Sequence, residues 1–375
     1  MSKLSVTKRF EVLDSFRGIA ALMVAIFHLK TNGIITNLDF VNNSYLFVEF
    51  FFVLSGFVIC CSSINKINNT NDLKTFILKR FARIYPLHLF MTLMFIPFAL
   101  VGLFLYTDTG GRFSIYSFFT HLTLIQALGV NTEPTWNLPS WSISVEFYTY
   151  ILFGVLLITT QIKNRLSISL LISTLSLIIL SSYSNMGDWG TFAIFRCFYS
   201  FFLGVIAFQL YDKVNVKPWM EIAIIIMLIC YLSSYNPPNE ISAFLSPYLF
   251  FAVIIIFSHE SGAVSMILKQ KPFQILGLLS FSIYMTHAWF ISSLKAISVI
   301  TSKYLNYNFM TENDGVRIID FGYSILNDFV FIPYVFIVVV FSWFTYHYIE
   351  KKWQDKLNKA IYSNNIKVKL PVSAR

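Results

Sequence analysis

The chain alternates long apolar runs with short polar connections, and ten of the runs approach the roughly twenty residues that cross a bilayer as a helix. They fall at about 13–32, 44–62, 84–106, 140–160, 166–182, 190–210, 219–235, 241–258, 276–300 and 327–349. Only helices or closed barrels satisfy the backbone in lipid, and no short alternating strands of barrel type occur. The pattern therefore predicts an all-α membrane protein of about ten transmembrane helices. A further stretch, 114–128, is short, is interrupted by His121 and Gln126, and is flanked by Gly110-Gly111 and Asn131. It is expected to be re-entrant or interfacial, not spanning. Residues 1–353 then form one transmembrane domain and 354–375 a basic cytoplasmic tail. Met1 to Glu11 is polar and basic, and no small-residue cleavage site follows the first run, so that run is expected to be a span and not a signal peptide.

Charge settles the expected orientation. Only 13% of the residues are charged, about half the share of a soluble chain. With the N-terminus inside, the cytoplasmic segments hold 21 of the 28 Lys and Arg residues, the outer segments hold 3 (Arg112, Lys303 and Arg317), and the spans hold Arg17, Lys30, Arg196 and Lys295. This bias predicts that both termini are cytoplasmic. The net charge of +9 thus reports topology, and nucleic acid is set aside as a partner. Cys60, Cys61, Cys197 and Cys230 lie in apolar runs without metal-ligand spacing and read as small buried hydrophobes. No metal and no permanently bound cofactor is implied. No internal repeat is visible, which counts against transporters built from inverted repeats.

Polar residues inside the apolar runs carry the candidate chemistry. Arg17 and His28 are eleven residues apart, close to three helical turns, so they share a face and are separated by roughly 16 Å along the axis. The alternative is a headgroup-anchoring arginine and a hydrogen-bonded interior histidine. In the predicted topology His28, Glu49, Glu146 and Arg196 lie at roughly 6–9 Å depth from the outer face, as one layer around a polar cavity. Arg17, Lys79, Arg80 and Arg83, with His88, lie near the inner face and suit phosphates. A phosphate-bearing donor held there could extend an arm along the first helix towards His28, the natural general base for activating a hydroxyl, with Glu49 orienting its ring. Glu49 could instead pair with Arg196 or Lys295, and Glu146 could bind an acceptor or pair with Arg196. Ser55 could touch the donor, or Ser55-Gly56 could merely allow close helix approach. Trp141 could be a sugar platform or an interface anchor, and His287 an acceptor ligand or a structural hydrogen bond.

Several stretches resemble motifs of the acyltransferase-3 family of integral-membrane acyltransferases. Leu13-Asp14-Ser15-Phe16-Arg17-Gly18 through His28 is similar to its opening signature, a basic residue followed after ten others by histidine. Val48-Glu49-Phe50-Phe51-Phe52-Val53-Leu54-Ser55-Gly56 resembles the second motif, with Glu49 where aspartate is more common. Arg80-Phe81-Ala82-Arg83 resembles the arginine-rich entry to the third span, and Trp141-Ser142-Ile143-Ser144-Val145-Glu146 the Trp-Ser-Leu-Ser-x-Glu motif. Ser280-Phe281-Ser282-Ile283-Tyr284 through His287 is similar to a late Ser-Tyr-x-x-Tyr-x-x-His motif, with Phe281 for the first tyrosine, and Ile349-Glu350-Lys351 lacks the proline that often follows. The resemblance implies a membrane O-acyltransferase that takes acetyl from cytoplasmic acetyl-CoA to a sugar hydroxyl of a surface polysaccharide or lipid-linked precursor. It implies residence in a bacterial cytoplasmic membrane and, without a fused esterase-like domain, a stand-alone member. It places His28, Glu49 and Arg17 at the chemistry and Arg17, Lys79, Arg80, Arg83 and Ser55 at the donor. Trp141, Ser142, Glu146, Arg196 and His287 would be acceptor-side or structural. The competing class is a transporter or flippase.

Overall fold

A computed structural model describes residues 9–104, 111–131, 133–234, 241–313 and 316–369. Helix dominates, and seven helical stretches are long and apolar enough to cross a membrane: Asp39–Ser63, Thr70–Gly102, Leu138–Thr159, Ile162–Tyr183, Ala193–Lys213, Lys271–Leu305 and Ser324–Ile361. They answer seven of the ten predicted spans. The other three also form helices but miss that standard. The segment Trp219–Ser233 and the segment Ile241–Phe257 are shorter, and Glu11–His28 carries Glu11, Asp14 and Arg17 within its first two turns.

The helices used below are α1 Glu11–His28, α2 Phe47–Ser63, α3 Thr70–Met94, α4 Trp141–Thr159, α5 Arg165–Tyr183 and α6 Ala193–Leu210. They are followed by α7 Trp219–Ser233, α8 Ser246–Phe257, α9 Lys271–Leu305, α10 Phe331–Thr345 and α11 Lys352–Lys369. Stretch 114–128 yields only Ile115–Leu122, eight residues or roughly 12 Å of rise, too little to span. A short antiparallel hairpin, β1 Met310–Asn313 with β2 Val316–Ile319, follows α9. Cys60 and Cys197 are buried as expected, whereas Cys61 is half-buried and Cys230 is exposed on α7, a position hydropathy alone could not orient.

Helix α1 packs most extensively on α9. Their contact is backbone to backbone: a Cβ added at Gly18 would lie 2.4 Å from the carbonyl carbon of Leu276, and one at Gly277 would lie 2.3 Å from the Asp14 carbonyl oxygen. Small residues permit this approach, as they do between helices in lipid. The two helices run parallel, with Gly18 beside Gly277 at one end and the His28 and His287 rings 5.0 Å apart at the other. Helices α2 and α6 are parallel as well, since Glu49 meets Arg196 and, two turns on, Phe57 meets Phe208. By contrast α9 and α10 are antiparallel: Thr286 meets Ser342 on α10, and Ser282, one turn earlier on α9, meets Glu350, just beyond the end of α10.

Sequence places the start of the third span near residue 84, but α3 begins at Thr70, capped by the Asn69 side chain, which accepts from the amides of Asn71 and Asp72. Hydropathy marks where lipid begins, not where a helix begins, and the intervening Lys and Arg residues are good helix formers. Lys79, Arg80 and Arg83 are thus fixed on a helix that continues through Pro86.

Candidate active site

Two cavities lie along α1, and it contributes one polar side chain to each. The first, about 160 Å³, is lined by Arg17, Arg80, Arg83, Glu146, Ser55 and Tyr150, among others. Arg17 is held by Ser280, which accepts from Nε at 2.8 Å, and by the Gly277 carbonyl at 3.2 Å, with Asp14 3.5 Å away. Arg83 pairs with the buried carboxylate of Glu350, which also accepts from Ser282 at 2.8 Å. Glu350 sits in a π-helical turn, Tyr346–Lys351, between α10 and α11. Arg80 has no carboxylate within ion-pair distance among the described residues, and its buried Nε lacks a hydrogen-bond partner. On the opposite wall Tyr150 donates to Glu146 at 2.5 Å, and Ser55 lies 2.8 Å from the Tyr150 oxygen.

The second cavity, about 490 Å³, is lined by His28, Lys30, Trp141, Trp189, Arg196 and Asp39, among others. His28 Nδ1 lies 2.8 Å from the Val24 carbonyl. A carbonyl can only accept, so Nδ1 carries the proton and the Nε2 lone pair is free to act as a base. His287 makes the equivalent contact to Ile283 at 3.3 Å, and its buried Nε2 has no partner. Arg196 stacks on Trp141, 4.8 Å from the ring centre. Tyr284 lines both cavities and lies 2.8 Å from the Ser142 hydroxyl.

Three sequence-based placements need correction. Glu49 does not orient His28: its fully buried carboxylate accepts from Arg196 Nε at 3.0 Å, Arg196 Nη2 at 2.6 Å and Ser200 at 2.5 Å. It pairs with Arg196, the alternative held open above, and a buried carboxylate is kept charged only by such partners. Glu146 leaves the expected outer layer for the first cavity and bonds to Tyr150, not Arg196. Depth fixes height on a helix but not azimuth. Ser142, Glu146 and Tyr150 repeat every four residues and share one face, whereas Trp141, about 100° round, faces the other cavity. Lys79 and His88 do not line the first cavity; His88 is buried against His121, whose carbonyl lies 2.9 Å from its Nε2.

Arg17, Arg80, Arg83 and Ser55 do come together, as do His28, Trp141 and Arg196, with His287 against His28. Sequence reasoning does not single out Tyr150, and it quotes Tyr284 and Glu350 only inside motifs, without a role. Tyr150 could have been found, because it stands one turn beyond Glu146 on the same face.

A family model described as an acyltransferase domain matches residues 10–348. The chain belongs to the acyltransferase-3 family. It is 25% identical to a putative acetyltransferase of Acidianus two-tailed virus over 289 residues, 73% of this chain and 81% of the viral one. It is 24% identical to the putative peptidoglycan O-acetyltransferase YrhL of Bacillus subtilis over 73% of this chain, and 25% identical to the O-acetyltransferase OatA of Staphylococcus aureus over 73%. The matched regions cover 47% and 49% of those two proteins, so the chain spans about half the length of these bacterial relatives. No solved structure matches it. The chain is accordingly a multi-pass membrane acyltransferase, and the two cavities are the place to look for its substrates.

Proposed function

We propose that this acyltransferase moves an acetyl group from cytoplasmic acetyl-CoA to a hydroxyl of a sugar, on a surface polysaccharide or lipid-linked precursor, at a bacterial cytoplasmic membrane. The observation that carries the reading is that α1 delivers Arg17 to one cavity and His28 to the other, while Tyr284 lines both. Both termini are placed inside on the basic-residue bias, so the first cavity faces the cytoplasm and the second faces out. Arg17 and Arg80 contact the donor's phosphates; Arg83, neutralised by Glu350, shapes the cavity wall. The arm of the donor follows α1, and its thioester reaches the point where the cavities meet.

There, His28 Nε2 takes the proton of the acceptor hydroxyl as its oxygen attacks the thioester carbonyl carbon. The tetrahedral intermediate collapses, the carbon–sulfur bond breaks, and the departing thiolate takes the proton from His28. The ester is formed and the histidine is neutral again. Trp141 and Trp189 offer flat faces for a sugar ring, and Ser142 holds Tyr284 in place.

Purified protein in nanodiscs tests this through acetyl-CoA binding and transfer rate. His28→Ala should bind acetyl-CoA nearly normally and lose turnover, whereas Arg17→Ala or Arg80→Ala should raise the apparent donor KM by about tenfold or more, with less change in kcat. Donor binding lost in His28→Ala but kept in both arginine variants would reverse the roles of the cavities and sink the scheme.

A further inference from the structure

The second cavity contains a cation that the transfer step does not use. Lys30 follows α1 by two residues, half-buried, with Nζ donating to the Asn42 side-chain oxygen at 2.9 Å and lying 4.3 Å from the centre of the Phe27 ring. No carboxylate is within ion-pair distance of it among the described residues. The other cation in the same cavity, Arg196, is already neutralised by Glu49. Among the described residues, the one acid lining the cavity is Asp39, which is exposed and forms no ion pair. A partly desolvated ammonium with only a neutral amide and a ring for company has unused capacity for an anion. Its neighbours are those of a sugar site: amides from Asn42 and Asn43, and the rings of Tyr45, Trp141 and Trp189.

Building on the acceptor reading above, we propose that this cavity takes an anionic acceptor, a sugar bearing a carboxylate or phosphate, and that Lys30 binds that group while His28, two residues away, addresses a hydroxyl. Lys30 is then the residue that sets acceptor specificity. Because the contact forms in ground and transition states alike, its loss appears in the acceptor KM more than in kcat.

The test measures acetyl transfer to matched acceptors sharing one ring: N-acetylglucosamine as the neutral form, N-acetylmuramic acid with a carboxylate, and N-acetylglucosamine 1-phosphate. Glucose, glucuronate and glucose 1-phosphate form a second set. The wild type should favour an anionic member of a set by about tenfold or more in kcat/KM, and the better anion identifies carboxylate or phosphate as the recognised group. Lys30→Met should remove that preference by raising KM for the anionic sugar alone, and Lys30→Arg should keep most of it. Should Lys30→Met not fold, the wild type still decides, because rising salt should raise KM for the anionic acceptor and leave the neutral one unchanged. Equal use of neutral and anionic sugars, or a salt effect common to both, overturns the role of Lys30 and leaves the sugar-acceptor reading standing. Acetyl-CoA hydrolysis with transfer to none of the six sugars overturns the acceptor reading itself, and this inference with it.

Discussion

Glu49 accepts three hydrogen bonds in a space closed to solvent, so its charge and that of Arg196 stand or fall together. Removing one partner leaves the other buried and unpaired, a loss of about 3–5 kcal/mol. Glu49→Gln and Arg196→Gln should each lower the thermal unfolding midpoint clearly, and the double variant should lose much less than their sum, as size-exclusion thermostability in detergent would show. Additive losses would mean the pair is not coupled. The residues that sequence could single out, Arg17, His28, Arg80 and Arg83, were visible because an ionisable group within or beside an apolar run needs a reason to be there. Tyrosine carries no such flag in a chain with 20 of them. Tyr150 therefore had only its place one turn beyond Glu146 to mark it, and Tyr284 stood inside a motif without a role of its own; both tie the cavity walls together. The choice of partner for Glu49 depends on how α2 and α6 are rotated.

At the level of elements, the register between α1 and α9 fixes where both cavities lie. Gly18→Val would drive a branched side chain into the Leu276–Gly277 backbone and separate the helices, moving Arg17 away from Ser280. It should lower folded yield and thermal stability and, in whatever protein folds, weaken donor binding, all readable from one purified preparation; a wild-type midpoint would show that the contact can relax. Apolar runs located these helices well, since twenty apolar residues bounded by polar ones leave few alternatives. Which helices would pack backbone to backbone was not legible, because a glycine looks the same in sequence whether or not another helix crosses it.

For the whole molecule, the parallel packing of α1 with α9 and of α2 with α6 is what regular back-and-forth crossing produces for predicted spans one and nine and spans two and six. Which side is which follows from the proposed orientation, drawn from the basic-residue bias. In intact cells, Lys303→Cys should react with a membrane-impermeant maleimide from outside, and Lys356→Cys should react only after permeabilisation, both in a background with Cys230 replaced. The opposite pattern would invert the orientation and with it the side from which donor enters.

Two cavities approached from opposite ends of α1 and sharing Tyr284 as a common wall have a further consequence. In the proposed orientation these cavities open on opposite faces of the membrane, and such a protein is a conduit unless something stops water and ions; among the described residues, Tyr284 is the one that lines both. Tyr284, pinned by Ser142 and by the Pro139 carbonyl at 3.0 Å, stands where a permeability barrier is needed. Tyr284→Ala should therefore do more than slow transfer: vesicles containing it should leak protons faster than those with wild type, and acetyl-CoA should be lost to water instead of to an acceptor. If proton flux stays at the wild-type level, the seal lies elsewhere along α1. Where Tyr284 is the seal, the pressure that keeps it in place is the cell's ion gradient as much as the reaction beside it.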